Sequence, residues 1–450
     1  MSALGRMDYE LFAASNTCSH EPLLIADGTV WTHGDVLDRA TERAGRIART
    51  ATIHVLEAEE CAETLIEFCA ILIAGSVAAL VAPNEPALRR RARLAKLEHW
   101  KPQLRPFATS FDGRLPIDVV FTSGSTGEPR AVVHGLENHA VSADGAATRI
   151  PFGPGDRWLL SLPFHHIAGL SIWMRALRSG GAVALRRPGE SLVDALLRTG
   201  ATHCSLVAKQ ATDLLDQLAS RHPAVRLDLR AALVGGGPVP ARLIERARDA
   251  AIPMHGTYGM TETTAQVATA NSNDSESVGS PLPGRHVTIR GGEILVGGSG
   301  IALGRIEGDS LVPLTDGDGL FATGDLGRLT DDGRLCIHGR KDRRFVSGGE
   351  NVSPEEIEAV LRTVAATEEV HVVAIDDPRW GERPVAFVAD IEAPRELRRH
   401  SCEARLLTEL STRLPRFLVP DRVYALPYST SIKPSLVELK RLAQPDRQAP

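Results

Sequence analysis

The chain has 450 residues, 43% of them apolar and 24% charged, and a net charge of −5. That length is too great for one ordinary core and predicts two or more domains, while the composition excludes extended disorder. The mildly acidic balance gives no reason to expect nucleic-acid binding. Six scattered cysteines without a C-x-x-C pair exclude a disulfide framework or a zinc site and predict reduced thiols in a cytoplasmic protein.

Met1 to Phe12 is partly acidic and has no signal-peptide core. The most apolar run, Phe68 to Ala82, is too short to span a bilayer and is broken by Gly75, so no integral membrane segment is expected. Up to about Leu115 the chain reads as alternating helices and short strands. Thr32 followed by Asp35 is a helix start for Thr32 to Arg49, Glu59 to Ala74 is a second helix, Ser76 to Val81 a strand, and Glu85 to Glu98 a third helix. The run Arg89-Arg90-Arg91-Ala92-Arg93 on that third helix is a solvated face or an anion site.

Val119 to Phe121 reads as a buried strand that breaks into Thr122-Ser123-Gly124-Ser125-Thr126-Gly127, closed by Pro129 and Arg130. Hydroxyl residues interleaved with glycines can bend round an anion and offer it N–H and O–H donors. The loop is not a Walker A motif, because Pro129 stands where that motif needs its second glycine. A polar turn is the plain alternative. Asn138 to Ala147 is predicted helical. The strand Arg157 to Leu162 runs into Pro163-Phe164-His165-His166-Ile167-Ala168-Gly169, where α/β proteins place binding loops. Adjacent histidines make a poor chelate, so a metal there is disfavoured. Arg175 lies on an apolar helix, Ile172 to Leu177. It either snorkels to solvent or anchors an anionic substrate group, for which a guanidinium is suited.

Ala182 to Leu185 and His203 to Val207 are further strands. Leu233-Val234 leads into Gly235-Gly236-Gly237, which lets a flat ligand lie on bare backbone. Pro240 stands where the dinucleotide fingerprint needs glycine, so a Rossmann cofactor is disfavoured. The stretch Met254 to Thr263 contains Thr257, Tyr258, Thr261 and Glu262. It reads as a turn and helix start, or as a site in which threonine meets a phosphate oxygen and Glu262 holds magnesium. From Val287 to Ile337 short strands with Gly and Asp turns suggest a small β-rich subdomain containing Thr323-Gly324-Asp325. Gly339-Arg340-Lys341-Asp342 marks the expected domain boundary. The residues beyond it read as a small α+β domain, with Lys433 on a polar loop near its end.

Together these stretches resemble the adenylate-forming acyl-CoA synthetase superfamily, over nearly the whole chain. Thr122 to Arg130 is similar to its phosphate loop, Tyr258 to Glu262 to its Tyr-Gly-x-Thr-Glu motif, Thr323 to Asp325 to its ribose motif, Gly339 to Asp342 to its hinge, and Lys433 to its catalytic lysine. The resemblance implies an α/β fold. A large multi-subdomain N-terminal domain, residues 1–340, has two α/β sheets plus the small β-rich subdomain. A small mobile α+β domain, residues 341–450, follows it. It also implies ATP and magnesium, with coenzyme A as second substrate. Thr122 to Gly127 and Arg130 would then hold phosphates, Thr261 the α-phosphate, and Glu262 the metal. Gly235 to Gly237, Thr257 and Tyr258 would line the nucleotide and acyl pocket, and Asp325 and Arg340 the ribose. Lys433 would bridge acyl carboxylate and α-phosphate. Asp342 would be the hinge, Gly348 and Gly349 would leave room for a pantetheine arm, and His166 would gate the thiol channel. Two departures stand out: Arg130 replaces the usual lysine, and Ile432 the usual glycine before Lys433.

The compact N-terminal region, Trp158 to Gly169, the helix through Arg175, and Val278 to Gly284 resemble the o-succinylbenzoate–CoA ligases of menaquinone biosynthesis. That likeness implies an aromatic dicarboxylate held by Arg175, with Ser280 a weaker candidate for the same pocket. The alternatives are another aryl- or fatty-acyl-CoA ligase, a stand-alone adenylation enzyme loading a carrier protein, a luciferase-like oxygenase, or a non-catalytic nucleotide binder. The sequence leaves the oligomeric state, including a homo-oligomer, open.

Overall fold

The structure, a computed structural model, describes residues 18–47, 52–102, 114–123, 129–221, 225–367, 369–389, 396–427 and 436–444. It is mixed α/β and divides into two compact units. The first comprises residues 1–288, 295–322 and 330–335, and the second 289–294, 323–329 and 336–450.

The first unit holds two sheets. The larger runs edge to edge through Ser280–Pro281, Ala265–Thr269, Met254–Met260, Ala231–Val234, His203–Leu206, Arg157–Leu160, Ala182–Leu185, Pro22–Ala26 and Thr29–Thr32. Its central strands pair in parallel, and Ala182–Leu185, His203–Leu206 and Ala231–Val234 are buried throughout, as strands covered by helices on both faces must be. The smaller sheet runs through Ser310–Val312, Gly304–Glu307, Pro129–Gly135, Pro116–Ser123, Val77–Val81 and Ile53–Glu57. The apolar helices Ala62–Ile73 and Ile167–Ser179 share one core, in which the Phe68 and Phe164 rings meet edge to face at 5.5 Å.

Local signals account for several element ends. Thr32 and Asp35 form the expected reciprocal cap. The Thr32 hydroxyl accepts the Asp35 N–H at 3.1 Å, and the Asp35 carboxylate accepts the Thr32 N–H at 2.9 Å. That helix, His33–Ala44, stops short of the Arg49 expected. Helix Ala87–Ala95 fully buries none of its residues: Arg89 and Arg91 are exposed, whereas Arg93 pairs with Glu85 at 3.1 Å and lies 5.6 Å over the Phe121 ring. Ile167–Ser179 begins five residues before the helix read from the apolar run, and Gly180 ends it in the left-handed region at φ 82°. One expectation is corrected. Met254–Met260 is a strand followed by a single tight turn, Thr261–Thr263, rather than a turn and a helix start. Its pairing with Ala265–Thr269 overrides the turn-forming glycines and threonines.

The second unit takes residues 289–294, 323–329 and 336–340 from a four-stranded sheet ordered His286–Arg290, Glu293–Gly297, Leu320–Leu329 and Leu335–Arg340. Beyond them, Glu350–Val352, Phe345–Ser347, Gly381–Val388 and Val370–Asp377 form an antiparallel sheet, and Val423–Ala425 adds in parallel to Gly381–Val388. Ile357 and Leu361 of helix Pro354–Ala365 pack with Leu406 and Leu410 of Glu396–Arg413 on one face. Leu439 and Ala443 cover Val385 and Phe387 on the other.

Burial holds His33 and His203 down to about 4, and burial together with the neighbouring His166 holds His165 down to about 3. The unfolded chain binds protons at these groups below their ordinary value of about 6.5, whereas the folded chain resists. Their contribution to stability is therefore complete above that value and is lost as pH falls from about 6.5 towards 4. Urea midpoints measured across that range should fall steadily on the acid side. A flat profile would contradict the assignment.

Candidate active site

Strands Pro116–Ser123 and Pro129–Gly135 run antiparallel, with Asp118 opposite His134 and Thr122 opposite Arg130. Thr122 and Arg130 thus stand where the two strands diverge. Gly124, Ser125, Thr126, Gly127 and the Ser123 side chain lie outside the described residues, as does Lys433.

The glycine loop and the Tyr-Gly motif sit on neighbouring parallel strands. Gly235 follows Ala231–Val234 and donates its N–H to the Leu206 carbonyl at 3.1 Å. A Cβ there would lie 2.6 Å from Cγ2 of Thr257, so glycine is what lets the two strands' ends approach. Gly236 takes φ 78°, and both it and Gly237 are exposed. The Thr257 hydroxyl donates to the Ala268 carbonyl at 2.8 Å, and Tyr258 is half-buried beside it. Gly259 is the tighter case: a Cβ would fall 1.6 Å from the Ala265 carbonyl oxygen.

Thr261 and Glu262 are half-buried on the turn that follows. The Ala302 N–H donates to the Glu262 carbonyl at 2.9 Å, and the Thr261 carbonyl lies 2.9 Å from Nε2 of His134. Among the described residues the Glu262 carboxylate makes no hydrogen bond or ion pair. The chain then turns through two non-glycine residues at positive φ, Thr264 at 47° and Ala265 at 69°. Such strain persists only when neighbours fix it. The Ser142 hydroxyl donates to the Thr264 carbonyl at 2.6 Å, and Nε of the buried Arg285 donates to the Gln266 carbonyl at 3.1 Å.

Arg175 does not snorkel. It is buried at 4% exposure on Ile167–Ser179, with its guanidinium carbon 4.8 Å over the Trp158 ring. One nitrogen, Nη2, donates to the Gln266 side-chain oxygen, while Nε and Nη1 have no partner among the described residues. Burial pulls its pKa down to about 10. The Gln266 amide in turn donates to the Thr269 hydroxyl at 2.7 Å, and Thr269 pairs with Ser280 across the sheet edge. A chain of contacts thus connects Arg175 towards the Ser280 strand. His166 is exposed and caps the same helix, its ring 4.3 Å from that of His165.

In the second unit Asp325 is buried and accepts from Nη1 of Arg340 at 3.1 Å. The same guanidinium grips Asp342 with two bonds of 3.0 Å and donates to the Thr323 carbonyl at 3.3 Å. The hydrogen bonds to Asp342 raise the Arg340 pKa, and Arg340 holds Asp342 below the usual carboxylate range. Gly348 and Gly349 are exposed at φ 61° and 88°, and a Cβ on Gly348 would strike the Trp380 ring at 2.4 Å.

Two family models match the chain: AMP-binding enzyme over residues 105–304 and AMP-binding enzyme C-terminal domain over residues 356–433. The 2-succinylbenzoate–CoA ligase of Salmonella typhimurium is 35% identical over 339 residues, 75% of this chain and 70% of that protein. The chain belongs to the 2-succinylbenzoate–CoA ligase family of AMP-binding enzymes. Solved structures agree. An arginine-to-lysine variant of E. coli MenE with bound OSB-AMS superposes at TM-score 0.84 with 30% identity, covering 98% of this chain and 99% of that one. The o-succinylbenzoate CoA synthetase of Bacillus subtilis, in complex with the acyl-adenylate intermediate OSB-AMP, gives 0.82 with 25% identity, covering 96% and 97%.

The sequence reading passed over Asp118, His134, His139, Trp158, Gln266 and Arg285. Asp118 had a local signal, a carboxylate inside an apolar strand. His134 and His139 are near neighbours in the chain, but strand pairing and the following helix bring them to Asp118, and Trp158, Gln266 and Arg285 come from distant segments.

The contact at Gly259 makes a local prediction. Gly259→Ala should lower the free energy of unfolding by about 1–3 kcal/mol. Gly317→Ala, where a Cβ meets nothing within 4 Å, should change it little. Equal urea midpoints for the two variants would contradict the close approach.

Proposed function

We propose that this chain is an ATP-dependent ligase that joins o-succinylbenzoate to coenzyme A in menaquinone biosynthesis. The acid's succinyl carboxylate attacks the α-phosphorus of ATP, giving acyl-AMP and pyrophosphate. The thiol of coenzyme A then attacks the acyl carbon and expels AMP. The first step gathers negative charge, so it needs preorganised donors.

The observation that carries the substrate is Arg175. A buried guanidinium with two nitrogens unpartnered among the described residues is costly unless an anion arrives. o-Succinylbenzoate has a second, aromatic carboxylate for it, whereas a fatty acid or benzoate has none. Ser280 contributes to the same pocket from the sheet edge.

The remaining roles follow the motif resemblance. Thr122, Ser123, Gly124, Ser125, Thr126, Gly127 and Arg130 take the outer phosphates, and Thr261 the α-phosphate. Gly235, Gly236, Gly237, Thr257 and Tyr258 flank adenine and the acyl group, while Asp325 and Arg340 take the ribose. Lys433 bridges the acyl carboxylate and the α-phosphate. The Glu262 carboxylate, which makes no hydrogen bond among the described residues, suits a hard, oxygen-seeking cation such as magnesium, which when bound screens the phosphate charge. Residues 341–450 act as a mobile domain that turns about Asp342 between the two steps, bringing Gly348 and Gly349 to the thiol channel gated by His166. Among the described residues Cys18, Cys61, Cys69, Cys204 and Cys336 form no disulfide, which suits a reducing cytoplasm, and no helix is long and apolar enough to cross a membrane.

Arg175→Ala tests the substrate. It should cost about 2–5 kcal/mol in kcat/KM for o-succinylbenzoate, as for truncating one member of a buried charge pair. Turnover of a monocarboxylate such as benzoate should change little. An equal loss for both acids would make Arg175 a structural residue.

A further inference from the structure

Asp118 interrupts the apolar run Ile117 to Phe121 and is fully buried between strands. Its two carboxylate oxygens are divided between two buried histidines. Nδ1 of His134, directly across the sheet, lies 2.8 Å from Oδ1, and Nε2 of His139, on helix Leu136–Ala147, lies 2.6 Å from Oδ2. The other nitrogen of His134, Nε2, lies 2.9 Å from the Thr261 carbonyl.

The donor accounting fixes the protons. Both nitrogens of His134 face oxygen acceptors, a carboxylate and a carbonyl, so both carry hydrogen. With Asp118 ionised, this makes His134 an imidazolium against the carboxylate and His139 a neutral donor to the second oxygen. The charge environment agrees. Burial works to raise Asp118, but His139 and His134 outweigh it and hold the carboxyl at about 2. Burial works against the charge on His134, but Asp118 outweighs it and raises the group. Burial and the His134 charge leave His139 lowered. The three side chains also have the composition of a metal site, with ligand-type atoms within 4.8 Å of one another. Each nitrogen, however, faces its own carboxylate oxygen at hydrogen-bond distance, and no common centre is needed to explain the contacts.

The placement gives the triad a consequence for the reaction. Asp118 and His134 are a cross-strand pair on the two strands that frame the phosphate loop, and Thr122 and Arg130 are a pair further along the same strands. The Thr261 carbonyl belongs to the turn that precedes the strained Thr264 and Ala265. We propose that Asp118 and His134 form a positioning brace for adenylation, holding the Thr261–Glu262 turn in register with the strands that frame the phosphate loop, while His139 secures the second carboxylate oxygen. The brace rests on the functional reading above, in which Thr261 and Glu262 serve the ATP phosphates. It acts through those residues and touches no substrate.

The test uses the full chain and separates the two half-reactions. Asp118→Asn and His134→Gln are assayed for pyrophosphate release with ATP, magnesium and o-succinylbenzoate, and for thioester formation from supplied acyl-adenylate. Adenylation kcat should fall by about 10²-fold, the scale of a small misplacement near reacting groups. The KM for o-succinylbenzoate and the thiol-transfer rate should change little. No loss, or equal loss in both half-reactions, overturns the brace. Histidine-selective ¹⁵N NMR of the unmutated protein adds a readout that does not depend on the variants folding. Two ring N–H signals for His134 near neutral pH support the brace. A single N–H, or one equivalent of tightly held zinc that His134→Gln releases, overturns it. If the unmutated enzyme releases no pyrophosphate with this acid, the functional reading fails, and the NMR result still decides the hydrogen-bonded triad.

Discussion

A guanidinium cannot be deprotonated at working pH, so burying one commits the protein to its charge. Arg175 is buried on an otherwise apolar helix, and its environment is only partly built for it. The Trp158 ring beneath offers a cation–π contact and Gln266 offers one oxygen. Among the described residues Nε and Nη1, with three N–H bonds between them, have no acceptor. The helix itself is well anchored, with Phe164 at its entry packed on Phe68 and Gly180 closing its end. The arrangement is a fixed scaffold carrying an incomplete charge pair, and a second carboxylate on the substrate completes it.

Other buried and half-buried charges in the chain are handled differently. Asp118 is matched inside the protein by two histidines. In the second unit Arg343 is held by Glu355 at 2.8 Å and Glu358 at 2.6 Å, and Arg383 by Asp421 at 2.7 Å, so these groups serve the framework. Arg340 is shared between Asp325 and Asp342, one a ribose candidate and the other the hinge candidate. Arg285 is intermediate. Burial holds it down to about 10, it is spent on backbone carbonyls of the strained turn, and its Nη1 has no partner among the described residues. Charges matched within the chain brace the backbone, whereas those left open mark where ligands are expected.

Much of this was legible from the residues. The Thr32–Asp35 cap, the strand Ala182–Leu185 and the apolar strand before Thr122 depend on neighbours in sequence, and local pattern found them. The turn-and-helix alternative for Met254–Met260 rested on the turn propensity of its glycines and threonines. Its strand state comes from pairing with Ala265–Thr269, and Gly259 is there for a carbonyl that crosses it. The exposed or snorkelling alternative for Arg175 was open in the sequence because the covering residues, Trp158 and Gln266, lie 17 and 91 positions away. Likewise His134 looked like the polar end of Val132-Val133, and only the register with Asp118 and the contact to Thr261, 127 residues on, reveals its environment.

The most direct measurement of the central claim is pyrophosphate release with ATP and magnesium across o-succinylbenzoate, benzoate, a medium-chain fatty acid and an amino acid, each with and without coenzyme A. The account predicts sustained turnover with o-succinylbenzoate and coenzyme A together, and little with the other acids. Comparable or faster turnover with benzoate or the fatty acid would keep the adenylation chemistry and contradict the dicarboxylate reading of Arg175.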